Sequence, residues 1–152
     1  MRGFDSIERI GVVGAGTMGG GIAQVCAQHG YDVVVRDIER EYLDRGFENV
    51  EDSLDRLVDA EKLTRAEADA ARERLTGTTE LADLADCDLV VEAAVENMDV
   101  KQDIFADLDD VVPEGVVLAT NTSTLSITTI ASATERPESV VGLHFMNPVP
   151  VM

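Results

Sequence analysis

Two side chains in the C-terminal third of this 152-residue sequence are of the kind that move protons: Ser123, in Asn121-Thr122-Ser123-Thr124, and His144, in Leu143-His144-Phe145. Each follows an apolar run, Val116 to Thr120 in one case and Val140 to Leu143 in the other. An imidazole exchanges protons near neutral pH and can serve as general base toward an alcohol, while a serine hydroxyl can hydrogen-bond the same oxygen. A core histidine satisfied by a buried partner is the plainer alternative for His144. Glu96 and Lys101 follow a third apolar run, Asp88 to Glu92. They divide between a functional reading and that of a loop carboxylate and an ordinary surface cation. His29, at the end of a helical stretch, is explained by the helix dipole.

A second kind of chemistry is carried by glycine. Ile10-Gly11-Val12-Val13 reads as a buried strand, followed by Gly14, Gly16 and Gly19 in G-x-G-x-x-G register, with Thr17 and Met18 inside the motif. Gly14 permits the tight turn, Gly16 lets a pyrophosphate approach the backbone, and Gly19 lets the next helix pack closely on the strand. That helix, from Thr17 to His29 and closed by Gly30, presents its free N–H groups and dipole to the anion. A second apolar strand, Tyr31 to Arg36, stops at Asp37, 18 residues beyond Gly19, where a carboxylate can take both ribose hydroxyls of the adenosine. The same carboxylate repels a 2′-phosphate, so NAD is expected as cofactor rather than NADP; Arg36 beside it is a guanidinium able to accommodate that phosphate. Strand, glycine turn, helix and acidic strand end together give the motif a specificity that bare glycine spacing lacks.

The remaining elements must bring these groups to one edge. Glu39 to Ala60 reads as a helix with an apolar stripe of Leu43, Phe47, Val50, Leu54 and Leu57. Thr64-Arg65-Ala66-Glu67 is a capping box that starts a second helix, Arg65 to Arg74. The two form a helical hairpin that either projects to touch a ligand or simply packs. Thr76 to Glu80 is a short strand, and Met98 to Asp109 a helix with Val100, Ile104, Phe105 and Leu108 inward. A turn at Pro113-Glu114-Gly115 precedes the strand Val116 to Thr120, and a short helix is expected at Ile127 to Ala133. Apolar strands separated by helices imply an α/β fold, a Rossmann-type doubly wound and mainly parallel sheet covered on both faces. In such a sheet ligands bind beyond the carboxyl ends of the strands, which is where all the polar groups above fall.

Composition narrows the function classes. The length suits one domain, residues 1–152. Thirty acidic residues against twelve basic ones give a net charge of −18, with only two lysines, Lys62 and Lys101. Nucleic acid and anionic membrane are poor partners for such a surface. High Asp and Glu with little lysine points to a salt-rich, halophilic cytoplasm that screens the repulsion. The first ten residues hold no apolar signal core, and no apolar run is long enough to span a bilayer, so a cytoplasmic protein is expected. Cys26 and Cys87 form no metal-ligand pattern and read as core; no metal is expected.

The stretches IGVVGAGTMGGGIAQ, DLVVEAAVEN, NTSTLSIT and GLHFMNPVPVM resemble the N-terminal NAD-binding domain of the 3-hydroxyacyl-CoA dehydrogenases, including the bacterial 3-hydroxybutyryl-CoA dehydrogenases. The resemblance spans nearly the whole chain. It implies reversible NAD-dependent oxidation of an L-3-hydroxyacyl-CoA to the 3-ketoacyl-CoA, a step of fatty-acid β-oxidation. His144 matches the family's catalytic base, and Ser123 the serine that contacts substrate and nicotinamide. Glu96, Lys101 and Asn147 match positions lining the NAD site, and Ser53 a position contacting the CoA moiety. The family's lysine further along the hairpin is replaced here by Ala60, leaving Lys62 or Arg56 to compensate. In the family, a glutamate that orients the histidine lies shortly after the stretch ending here at Met152, and an all-helical domain then closes the cleft and supplies the dimer interface. A chain without them is expected to bind NAD but to turn over poorly alone. It would need a helical C-terminal domain or separate subunit, whose place is marked by the apolar tail Phe145, Met146, Val149, Val151 and Met152. Two other readings stand beside this one: a non-catalytic NAD-binding module, and another NAD-dependent 3-hydroxyacid dehydrogenase.

Overall fold

A computed structural model describes residues 6–152; the part of the N-terminal stretch at 1–5, included in the expectation of no signal core, lies outside the described residues. The chain alternates strands and helices: β1 (Arg9–Val13), α1 (Thr17–Gln28), β2 (Asp32–Arg36), α2 (Arg40–Asp59), α3 (Arg65–Glu73) and β3 (Leu75–Thr78). The second half adds β4 (Leu89–Glu92), α4 (Met98–Val111), β5 (Val117–Thr120), α5 (Ile127–Ala131) and β6 (Val140–Gly142), with 3₁₀ turns at Leu81–Leu84, Pro137–Ser139 and Val149–Val151. The six strands pair in the order β3-β2-β1-β4-β5-β6, and every pair is parallel. This is the doubly wound order, whose direction of growth reverses between β1 and β4 and leaves a crevice there.

Strand alternation divides the core into two layers. Val12, Val33, Val35 and Val91 face one way, against Ile22, Leu43, Val50, Leu54 and Ala68 of α1, α2 and α3. Val13, Val34, Val90 and Leu118 face the other, against Phe105, Leu108 and Ile130 of α4 and α5. Both faces are therefore covered, which is why the strands are apolar throughout rather than alternating.

The helical hairpin packs and also reaches the ligand edge. Leu43, Val50, Leu54 and Leu57 of α2 are buried, and Gly46 lets α2 approach Ala15 in the glycine turn. The capping box at Thr64 forms in full, the Glu67 amide donating to Thr64 Oγ1 at 3.2 Å and the Thr64 amide to Glu67 Oε2 at 2.8 Å. Arg72 then ties the two helices, bonding Glu51 and also Asp55 at 2.8 Å. The C-terminus of α4 is closed by Arg136, whose guanidinium donates to the carbonyls of Asp109, Val112 and Pro113 and pairs with Asp109 at 2.5 Å. A buried arginine there satisfies carbonyls that a helix end leaves over.

Several expectations move. The strand placed at Thr76 to Glu80 runs instead over Leu75–Thr78, because its register follows β2, with Val33 opposite Leu75. The short helix stops at Ala131, and β6 ends at Gly142, before Leu143. On α4, Phe105 and Leu108 are buried, but Val100 is 38% exposed; the inward position beside it belongs to Lys101, at 1%. An ionic partner below the sheet edge, absent from any apolar pattern, takes the place that periodicity assigned to a valine. Cys87 is buried and Cys26 half-buried, and burial pushes both thiols up to about 11, leaving them neutral and unreactive.

Candidate active site

The glycine turn is built so that its backbone can face the crevice closely. Gly14 has φ +104°, and a Cβ on it would stand 2.7 Å from the Ala93 carbonyl oxygen. A Cβ on Gly19 would meet the Gly14 carbonyl oxygen at 1.7 Å, so only glycine lets α1 start this close to β1. Gly16 differs: a Cβ there would touch no protein atom within 4 Å. The protein's own packing does not require glycine at 16, so the bare backbone there fits a diphosphate approaching through the open space in front of it. The first turn of α1 carries no acidic residue and no side-chain cap, so its amides and the dipole remain available to an anion. These features fit a dinucleotide.

Asp37 closes the far end of the turn. Its Oδ2 accepts from the Ala15 amide and its Oδ1 from the Ile38 amide, both at 2.7 Å. The carboxylate thus pins the glycine turn, and each oxygen keeps a lone pair for a ribose hydroxyl. Arg36 shares this cleft, its Nε donating to the Thr79 carbonyl at 3.3 Å. The cleft, of about 460 Å³, is walled by apolar side chains left open, among them Ile38, Tyr42, Val95 and Val100. Sequence periodicity missed this wall, since exposed apolar residues are legible only when a groove lies between them.

A neighbouring cleft of about 310 Å³ gathers Met18, Glu96, Asn121, Ser123 and His144. They arrive from α1 and the ends of β4, β5 and β6, so Ser123 and His144, 21 positions apart in the chain, share one hollow. His144 is exposed, and its ring bonds no described residue, unlike a core histidine. The Asn121 carboxamide oxygen accepts from the Phe145 amide at 2.8 Å, tying the turn that carries His144 to the turn that carries Ser123. Glu96 accepts from Thr122 at 2.6 Å and from Thr124 at 3.3 Å, and pairs with Lys101 at 3.2 Å. Partial burial works against the Glu96 carboxylate, but these donors prevail and hold its pKa below the ordinary value of 4.5.

Lys101 lies under this cleft rather than on it. Its ammonium meets Glu92 Oε1 at 2.6 Å and the Ala94 carbonyl at 3.3 Å, and both Lys101 and Glu92 are buried, at 1% and 0%. Glu92 is the residue that the sequence reading passed over as the last position of an apolar strand. A carboxylate closing such a strand, nine positions before a lysine on the next helix, is the signal that could have found it. A third cleft, of about 290 Å³, opens on the other side of α1 and holds Gly16, Thr17, Ser53, Arg56 and Asn147. Arg56 is there with Ser53, whereas Lys62 is not among the lining residues. Asn147, expected at the cofactor, stands across from Ser53 beside Gly16 and Thr17, because the last turn folds back over α1.

Comparison with known proteins agrees with this geometry. Residues 9–152 match the family model described as 3-hydroxyacyl-CoA dehydrogenase, NAD binding domain. The protein named Probable 3-hydroxybutyryl-CoA dehydrogenase in Deinococcus radiodurans is 54% identical over 145 residues, 95% of this chain and 51% of that protein. The 3-hydroxybutyryl-CoA dehydrogenase of Mycobacterium tuberculosis is 50% identical over 149 residues, 97% of this chain and 52% of that protein. The crystal structure of (S)-3-hydroxybutyryl-CoA dehydrogenase from Ralstonia eutropha superposes with a TM-score of 0.94 at 49% identity, over 97% of this chain and 52% of that one. The chain thus spans about half the length of the relatives it matches. It belongs to the 3-hydroxyacyl-CoA dehydrogenase family and corresponds to that family's NAD-binding domain.

Proposed function

We propose that this chain is the cofactor-binding and proton-transferring half of an NAD-dependent L-3-hydroxyacyl-CoA dehydrogenase. The observation that carries the reading is the shared hollow: Ser123 and His144 face it together, next to the cleft governed by Asp37 and the glycine turn. In this reading the diphosphate rests on Gly16 and Thr17, the ribose hydroxyls on Asp37, and the adenine between Ile38, Tyr42, Val95 and Val100. NAD supplies a hydride acceptor when bound. His144 removes the proton of the 3-hydroxyl, Ser123 holds the same oxygen by hydrogen bond, and Glu96, tethered to Thr122, forms the opposite wall. The CoA moiety is assigned to Ser53 and Arg56 of the third cleft, where a guanidinium at the rim suits phosphate, while Asn147, beside Gly16 and Thr17 in that cleft, stays assigned to the cofactor.

The imidazole has no orienting partner among the described residues, and loss of an orienting carboxylate costs on the order of 10⁴ in turnover in another histidine-based enzyme. Val141, Leu143, Met146, Val151 and Met152, all in the C-terminal stretch that carries His144, remain 38–75% exposed. We therefore assign to a helical partner domain or subunit the roles of covering this surface and completing the site. Substrate and domain requirement are tested together by mixing acetoacetyl-CoA and NADH with the chain in molar potassium chloride. NADH absorbance is followed with and without a supplied helical domain. Turnover only with the added domain supports the reading; NADH binding without turnover in either mixture supports a non-catalytic module instead.

The salt in that mixture reflects a second part of the reading, that the protein works in a salt-rich cytoplasm. The −18 charge and the acidic outer face of α2, with Glu48, Glu51, Asp52, Asp55 and Asp59 exposed, favour it. A melting temperature that does not rise between about 0.1 and 2 M potassium chloride, as the Debye length shrinks from about 10 Å to below about 3 Å, argues against it.

A further inference from the structure

Of only two lysines in a chain of charge −18, one is buried where it touches no cleft. A buried ion pair is weak ground for stability, because desolvation offsets most of its attraction. The Glu92–Lys101 pair therefore calls for another account, and its bonds suggest one.

Each Glu92 oxygen holds a different element. Oε1 accepts from the Ala94 amide at 2.7 Å and from Lys101; Oε2 accepts from Thr120 Oγ1, at the end of β5, at 2.7 Å. Lys101 also donates to the Ala94 carbonyl and pairs with Glu96. Both backbone polar groups of Ala94 are thereby drawn beneath the floor, so that this residue, which lines both cofactor clefts together with Met18 and Ala93, offers them only apolar surface. Thr120 in turn precedes the turn that carries Ser123, and its carbonyl accepts from the Leu143 amide beside His144 at 2.9 Å.

We propose that Glu92 and Lys101 are positioning residues. From below the floor, the pair fixes the Ala93–Glu96 turn against the Ser123 turn and so sets the width of the His144 cleft. This inference rests on the reading that the His144 cleft receives the nicotinamide end. Lys101 acts in this arrangement through its bonds to Glu92 and the Ala94 carbonyl.

The test titrates the chain with NADH and, separately, with ADP-ribose, which shares the adenosine and diphosphate but lacks the nicotinamide. Thr120→Val keeps the shape of the buried side chain and removes one donor to Glu92. Losing one such bond is expected to weaken NADH binding by about 3- to 10-fold while ADP-ribose stays within about twofold. Glu92→Gln and Lys101→Met are expected to weaken NADH further, and the double variant no more than the worse single one, since the two act as one unit. Unchanged NADH binding by Thr120→Val overturns the proposal, even if the two charged-residue variants do not fold. So does a parallel fall in ADP-ribose affinity, which signals general loosening, and so do losses that multiply in the double variant, which signal independent contacts. An unaltered chain that binds neither ligand sinks the cofactor reading itself.

Discussion

The two cofactor clefts are neighbours made by opposite means. The glycine turn that floors the Asp37 cleft depends on 28 consecutive residues, from Ile10 to Asp37, and on their backbone: positive φ at Gly14, contact at Gly19, open space at Gly16, and one carboxylate pinning the Ala15 amide. The His144 cleft is drawn from three strand ends on β4, β5 and β6, and side chains hold it: Glu92 to Thr120, Asn121 to Phe145, Thr122 to Glu96. One is rigid because short-range sterics leave no alternative. The other is held by a buried polar network, where loss of a single partner exposes others to unmet desolvation. Substitution should therefore break the first abruptly and detune the second by degrees.

The largest effect is expected at Gly19. Gly19→Ala puts a methyl against the Gly14 carbonyl, a backbone atom that cannot move without separating β1 from α1. A loss of more than about 4 kcal/mol is expected, enough to prevent cooperative unfolding from being seen by circular dichroism. A variant that melts within a few degrees of the parent would show that the turn is more pliant than its geometry implies. Next comes His144→Gln, assayed in the mixture with the helical partner. Turnover should fall by about 10² to 10⁴, with NADH affinity little changed, if the imidazole is the proton acceptor. Equal losses in both quantities would instead make His144 a binding residue.

Gly16→Ala separates ligand from scaffold. Its Cβ meets no protein atom, so the melting temperature should hold, while NADH affinity drops by about tenfold or more as the methyl displaces the diphosphate. Unchanged affinity would remove the diphosphate from this turn. The smallest effect concerns Glu96. Its pKa is lowered in the folded state, so it contributes stability that is present above the unfolded value and is lost as pH falls through the folded one. NADH affinity should accordingly be flat from pH 8 to about 5 and weaken only below the ordinary glutamate range near 4.5. Thr122→Val, which removes the 2.6 Å bond to Glu96, should move that weakening to higher pH. Calorimetric titration at several pH values reads both.

What could be foreseen follows the same division. The glycine turn, Asp37, the capping box at Thr64 and the apolar stripe of α2 are patterns of neighbouring residues, and covalent geometry turns neighbours in sequence into neighbours in space. The parallel sheet followed as well, because apolar strands separated by helices have few other ways to bury both faces. The strand order, by contrast, decided that the ends of β4, β5 and β6 would meet, and so brought Ser123 and His144 to one hollow. It also sent Lys101 inward to Glu92 in place of Val100, and Asn147 across α1 to face Ser53. The first and last depend on how distant segments pack, and the Lys101 contact on which desolvated charge finds which partner, an energy that arises only once those segments exclude water together. No local spacing records it.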